Sequence, residues 1–152
     1  GHREADLVKE IENDSGADNI GIVVIFRADG AVKNPAIYHA ESGEFTKVGY
    51  LDNDFTMASG QYVIINTYTG KKNVYLLDGV TQAEIESYKN AYDVIDWDTV
   101  IEKFGTVINE YLDEDGEFIQ LQDGTNTLTY SADEGTNYLS VSVYYRISYL
   151  GV

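Results

Sequence analysis

Turn residues punctuate this chain so often that only short strands fit between them. Asp29-Gly30, Glu41-Ser42-Gly43, Ser59-Gly60, Thr69-Gly70-Lys71 and Asp123-Gly124 each stand between apolar runs. The interval is about ten residues, the spacing at which short strands build a sandwich or barrel. Ile20 to Phe26 reads as a strand with a nearly continuous apolar core. Asn34-Pro35 opens a short strand to His39, since a residue before proline is held away from the helical region. Phe45 to Leu51 and Phe55-Thr56-Met57 follow on either side of the Asp52-Asn53-Asp54 break. In Gln61 to Thr67, Tyr62, Ile64 and Asn66 take one face while Val63, Ile65 and Thr67 take the other. A hairpin at Thr69-Gly70-Lys71 returns that strand onto Asn73 to Leu77. Near the C-terminus, Leu139, Val141, Val143 and Tyr145 alternate with Ser140, Ser142 and Tyr144, the period of a half-buried strand.

Composition agrees with a β domain. The 152 residues include 13 Tyr, 14 Gly and 1 Pro, and aromatic side chains suit a pleated, half-buried surface. A chain of this length buries about 68–70% of its unfolded surface, enough for one core without staples. The absence of Cys excludes disulfides and thiolate metal sites and leaves the compartment open. A formal net charge of -16 with 10 Lys and Arg argues against nucleic acid, whose phosphates need clustered cations, and equally against anionic membranes. No apolar run approaches the roughly 18 residues of a membrane-spanning helix, and no secretory leader pattern appears.

Two segments depart from the strand rhythm. From Arg3 to Glu12, Leu7, Val8 and Ile11 sit at three- and four-residue spacing, which predicts an amphipathic N-terminal helix in a lead-in over 3–18. Gly1-His2 before it reads as a scar of tag removal. The second departure is an insertion at about 82–106. Thr81-Gln82-Ala83-Glu84 is a capping box, in which the Thr hydroxyl and the Glu carboxylate satisfy each other's orphan backbone donors. Ile85, Tyr88, Tyr92 and Ile95 follow at helical spacing, and Asp98-Thr99 caps a second helix carrying Val100, Ile101 and Phe104 up to Gly105. The expected fold is all-β: a two-layer antiparallel sandwich over 19–152 with this small helical insertion.

Convergent catalytic groups are scarce. His2 lies in the scar, His39 stands alone, and no Ser occupies a G-x-S-x-G turn, so no catalytic residues are assigned. His39 reads instead as a strand-end residue with an ordinary hydrogen bond. Asp113-Glu114-Asp115-Gly116-Glu117 has the oxygen density of a calcium loop, but placing Gly116 at the loop glycine leaves Tyr111 and Gln122 at the first and last ligand positions. It reads as a solvated turn, and no metal or cofactor is expected. Phosphate-loop and dinucleotide fingerprints are missing. Sugar binding keeps a candidate, because a pyranose stacks on an exposed ring flanked by amides and carboxylates. Trp97 between Asp96 and Asp98, together with Tyr88 and Tyr92, are the candidate ligand or partner contacts; Trp97 has the alternative task of pinning the insertion to the sandwich.

An ordered set of motifs resembles the C-terminal domain of siphophage distal tail proteins. It runs through Lys33-Asn34-Pro35-Ala36-Ile37, Glu41-Ser42-Gly43-Glu44, the strand Ser59 to Thr67, and Gly70-Lys71-Lys72-Asn73-Val74. The segments Tyr111-Leu112-Asp113, Phe118 to Leu121, Asp123 to Asn126, Ala132 to Gly135 and the closing Tyr149-Leu150-Gly151-Val152 are similar to that family's ending. The resemblance implies a galectin-like or jelly-roll type sandwich at the periphery of a hexameric ring that joins tail tube to baseplate hub. It implies a non-enzymatic virion structural protein of a phage or prophage, located at the tail tip, with other tail-tip proteins as partners. The ring-forming portion is missing from this chain, so the chain alone is expected not to form hexamers. The insertion at Gln82 to Thr106 departs from the family pattern. A carbohydrate-binding host-adhesion module, with cell-wall polysaccharide as the partner, is the alternative, and a hydrolase or its accessory domain is a further one.

Overall fold

The structure, a computed structural model, describes residues 8–146. The chain is mostly β, with antiparallel sheets arranged as a sandwich. One sheet has four strands in the order β1 (Val8–Asn13), β10 (Gly124–Ser131), β4 (Ala36–His39) and β5 (Phe45–Lys47). The other has five, in the order β11 (Leu139–Tyr145), β2 (Ile22–Ala28), β7 (Tyr62–Asn66), β8 (Asn73–Leu77) and β9 (Thr106–Val107). A short ribbon of β3 (Val32–Lys33) and β6 (Thr56–Met57) stands apart from both. Helices α1 (Gln82–Glu86) and α2 (Trp97–Phe104) lie between β8 and β9 in the chain.

The alternation of side chains along the central strands divides the interior in two. Ile22, Val24 and Phe26 of β2, with Val63 and Ile65 of β7, pack toward Ile11, Ile37, Leu128 and Tyr130 of the four-stranded sheet. The opposite face of the same strands, Ile25, Tyr62, Ile64 and Leu77, is covered by Val80, Ile85, Val100 and Ile101 from the helical segment. All five residues of β7 are therefore buried, which is why Tyr62 to Ile65 form a continuous apolar run instead of a polar alternation. Full burial of one such side chain contributes about 1.5–3 kcal/mol relative to exposure.

The expected N-terminal helix is not what the described residues form. Val8–Asn13 is a strand, with Ile11 opposite Asn126 in β10. Ile11 and Asn13 are buried while Glu10 and Glu12 are exposed, so period two prevails over the three- and four-residue spacing of three apolar residues. An open ladder on β10 decided the outcome, as tertiary pairing commonly overrides local propensity. The part of that expectation before Val8, like the scar and the closing Tyr149-Leu150-Gly151-Val152, lies outside the described residues.

The insertion also differs from its reading. Its capping box forms as expected, with Thr81 and Glu84 each bonding the other's backbone N–H. The helix nevertheless ends at Ser87, before Tyr88 and Tyr92. Asn90 Oδ1 accepts from the backbone N–H of Tyr92 and Val94 at 2.8 and 3.2 Å, and Asp93 has φ 64. A side chain that offers the backbone such a turn competes directly with helix.

Candidate functional site

Asp96 starts α2 and so sets the position of Trp97. Its carboxylate accepts the Thr99 hydroxyl at 2.8 Å and the Thr99 backbone N–H at 3.2 Å. That hydroxyl bond is the first cause, and the backbone bond the second, of an Asp96 carboxyl held below its ordinary range. The cap lies two residues earlier than Asp98, the position expected from sequence, and makes Trp97 the first helical residue. There the half-buried indole packs against Tyr144 of β11, with ring centroids 6.0 Å apart and an interplanar angle of 46°.

Between α1, α2 and the outward face of β11 and β2 runs a trough. Its middle is a cavity of about 190 Å³ with Ser140 and Ser142 among its lining residues, and with Arg27, Gln82, Trp97 and Tyr144 around them. Through Ile95, Trp97 and Tyr144 it meets a cavity of about 510 Å³ that also carries Lys71, Asp96, Asp98 and Arg146. Through Arg27, Tyr62 and Gln82 it meets another of about 390 Å³ bordered by Asp78. The trough exists because two of the outward positions of β11, Ser140 and Ser142, are too short to fill the space that the helical segment leaves uncovered. Its polar balance is unusual. Among the described residues, Trp97 Nε1 and Arg27 Nε are the buried side-chain polar atoms without a hydrogen-bond partner, and both residues line the middle cavity. The Arg27 guanidinium makes a lateral contact, Nη1 to Asp29 at 3.3 Å.

The three candidate rings do not share a site. Trp97 is in the trough, whereas Tyr88 packs edge-on against Phe104 at 6.0 Å and 82°, with Lys103 Nζ 6.0 Å from its ring. Tyr88 is thus part of the packing of the helical segment against the sheet. Tyr92 stands on the turn after α1, 86% exposed and apart from the residues that line the trough. Sequence reasoning missed Arg27, Tyr144, Ser140 and Ser142. The available signal was the Ser-x-Ser-x-Tyr run on one face of a strand whose other face is apolar.

Elsewhere the chemistry-bearing residues serve the framework. His39 ends β4, and its Nε2 lies 2.7 Å from Asn126 Oδ1 while Nδ1 lies 2.8 Å from Ser42 Oγ. Asn126 Nδ2 donates to the carbonyls of Gln122 and Gly124, so its oxygen faces the imidazole and Nε2 carries the proton. Nδ1 then accepts from the Ser42 backbone N–H at 3.2 Å, which makes the group a brace for the β4–β5 turn. At the acidic turn, Asp113 accepts from the backbone N–H of Asp115 and Gly116, a closed local arrangement. Among the described residues no cluster of three or more His, Asp or Glu is placed to hold a metal ion.

A second polar cluster joins loops at one end of the sandwich. Asn34, 1% exposed and with φ 52, donates to Asp54 and Asp133 at 2.9 Å each and accepts from the Phe55 N–H at 2.8 Å. Asp133 also receives Lys47 Nζ at 2.9 Å. The Asn34 bond is the leading cause of an Asp133 carboxyl held below its ordinary range; desolvation opposes it, and the Lys47 bond and charge add smaller lowering contributions. Partial burial is the largest single influence on Lys47 and pulls it downward, but the bond and charge of Asp133, with Tyr38 and Asp113 nearby, together leave the ammonium titrating above its usual value.

Comparison with known proteins finds no significant match: none to a family model, none to a curated protein and none to a solved structure.

Proposed function

We propose that this domain is a non-enzymatic structural component of a siphophage or prophage tail tip, the peripheral, galectin-like C-terminal sandwich of a distal tail protein. The observation that carries the reading is where the resembling residues lie: they frame the sandwich. Asn34 of the Lys33 to Ile37 motif ties three loops together. The Ser59 to Thr67 motif contains β7, buried along its whole length, and Gly70-Lys71-Lys72 turns it onto β8. Glu41, from the Glu41 to Glu44 motif, accepts the Thr127 hydroxyl at 2.7 Å and so links the β4–β5 turn to β10. That motif residues in this order hold framework positions in this chain is what a shared domain type would require, while function requires evidence of location. His39, the described histidine, bonds Asn126 of β10 through Nε2 and Ser42 of the β4–β5 turn through Nδ1, so both ring nitrogens serve the framework. Cross-linking mass spectrometry on intact particles tests the reading. Exposed Lys71, Lys72 and Lys103 should link to tail-tip proteins, and links confined to head proteins would contradict it.

One feature favours a second reading, a carbohydrate-binding host-adhesion module. Trp97 and Tyr144 present paired rings at a trough bordered by hydroxyls, amides and charges, the chemistry that engages the apolar and polar faces of a sugar together. The two readings are compatible on one tail-tip domain.

A further inference from the structure

We propose that the trough over Ser140 and Ser142 binds a neutral glycan, and that the Trp97 indole N–H and the Arg27 guanidinium are the donors that select it. The inference rests on the adhesion reading and gives it a ligand class.

The unmet hydrogen bonds set the ligand's polarity. Trp97 Nε1 and Arg27 Nε belong to side chains lining one cavity, both are sheltered from solvent, and neither has a partner. A buried donor left unpaired costs about 1–3 kcal/mol, which an incoming acceptor restores. Indole and guanidinium only donate, so the ligand must bring acceptors: hydroxyl or ring oxygens, or the carbonyl of an acetamido group. Reaching these atoms requires the neighbouring side chains to adjust. Gln82 and Glu86 are exposed cavity-lining residues, held to each other by a 3.2 Å bond.

Two further features favour a sugar. Ser140 and Ser142 offer hydroxyls that both donate and accept, beside the 41% exposed ring of Tyr144 and the indole of Trp97. That pairing of a polar floor with an apolar wall matches the two faces of a pyranose. Cavities of about 190, 390 and 510 Å³ joined through shared residues form a run suited to a chain of several rings.

Charge then separates neutral from acidic glycans. The chain carries -16, and that field disfavours approach of a polyanion. Within the trough the cations are offset locally: Arg27 contacts Asp29, and Lys71 and Arg146 share their cavity with Asp96 and Asp98. A neutral ligand meets no such penalty. A peptide partner is less favoured because the trough lies on the outward face of β11 and not along its hydrogen-bonding edge.

Trp97 is the chain's 1 Trp, so its indole resonance and fluorescence report on this position alone. The probes are soluble β-glucan, galactan and N-acetylglucosamine oligomers, compared with oligogalacturonate and with tail-tip proteins. At least one neutral oligomer should shift the indole N–H resonance saturably, with affinity nearly constant from about 50 to about 500 mM NaCl. Ser142→Phe, which fills the floor from an exposed position, should weaken that binding by about tenfold or more while the melting temperature is retained. Arg27→Lys, which keeps the charge but loses the fork, should weaken it as well. Salt-sensitive binding of oligogalacturonate alone, an indole shift produced only by a protein, or neutral binding indifferent to both variants would each overturn the proposal. Sedimentation with intact bacterial walls separates the levels: wall binding with any of those outcomes leaves the adhesion reading standing, and no wall binding removes both.

Discussion

Trp97 and Tyr144 meet across the boundary between the helical segment and the edge strand of the five-stranded sheet, their ring centroids 6.0 Å apart. The contact joins α2 to β11 at the point where the cover over the sheet gives way to the trough. On the adhesion reading, Trp97→Ala should abolish saturable binding to host walls. The ring is half-buried at the rim, so the stability cost should stay near the low end of the roughly 3–5 kcal/mol of a core Trp truncation. Wall sedimentation with parallel thermal melts checks both; undiminished binding by a folded variant would make the contact purely architectural.

The Asn34 clamp should govern stability at the loop end of the sandwich. Asn34→Ala removes three hydrogen bonds, two of them to carboxylates, and should cost about 2–4 kcal/mol in urea unfolding at roughly 1 kcal/mol per bond. Gly49 makes the clamp fit. At φ +102, a Cβ on it would lie 1.9 Å from Asn34 Oδ1 and 2.8 Å from the Phe55 nitrogen. Gly49→Ala should therefore destabilise strongly in the native background and less so beside Asn34→Ala, because the two substitutions break the same contact.

Acid should loosen the same cluster. The folded Asp133 carboxyl titrates below its ordinary value of 3.8, with the Asn34 bond as the leading cause. A carboxylate depressed by folding contributes stability that is complete above that value and is lost as pH falls through the folded pKa. Asp133 is 46% exposed, so solvent screening keeps the contribution small. Asp133→Asn should flatten the stability profile below pH 3.8 relative to the native chain. An unchanged acid limb in urea titrations at several pH values would refute the linkage.

Covering the outer face of β7 should matter as much as filling the sandwich. Ile64 is fully buried between β7 and the helical segment, and Ile65 is fully buried toward the other sheet. Ile64→Ala and Ile65→Ala should each cost about 2–5 kcal/mol. A negligible loss for Ile64 alone would mean that the helical segment does not seal that face.

The strands were legible where burial on one or both faces left a plain pattern, as in Ile22–Ala28, Tyr62–Asn66 and the capping box at Thr81. Val8–Asn13 was not, because three apolar residues fit a helix as well as a strand until β10 supplies a partner. The helix after Thr81 was overextended because Asn90 and Asp93 turn the chain, a choice that apolar spacing does not register. Of the site, Trp97 was visible as a lone indole between carboxylates. Arg27, Ser140 and Ser142 were not, since which outward positions stay uncovered depends on where α1 and α2 come to rest.

The most direct test of the tail-tip reading is electron microscopy of particles labelled with an antibody against this domain. The account predicts label at the distal end of the tail, around the junction of tube and baseplate. Label along the tube, on the head or absent from intact particles would contradict it.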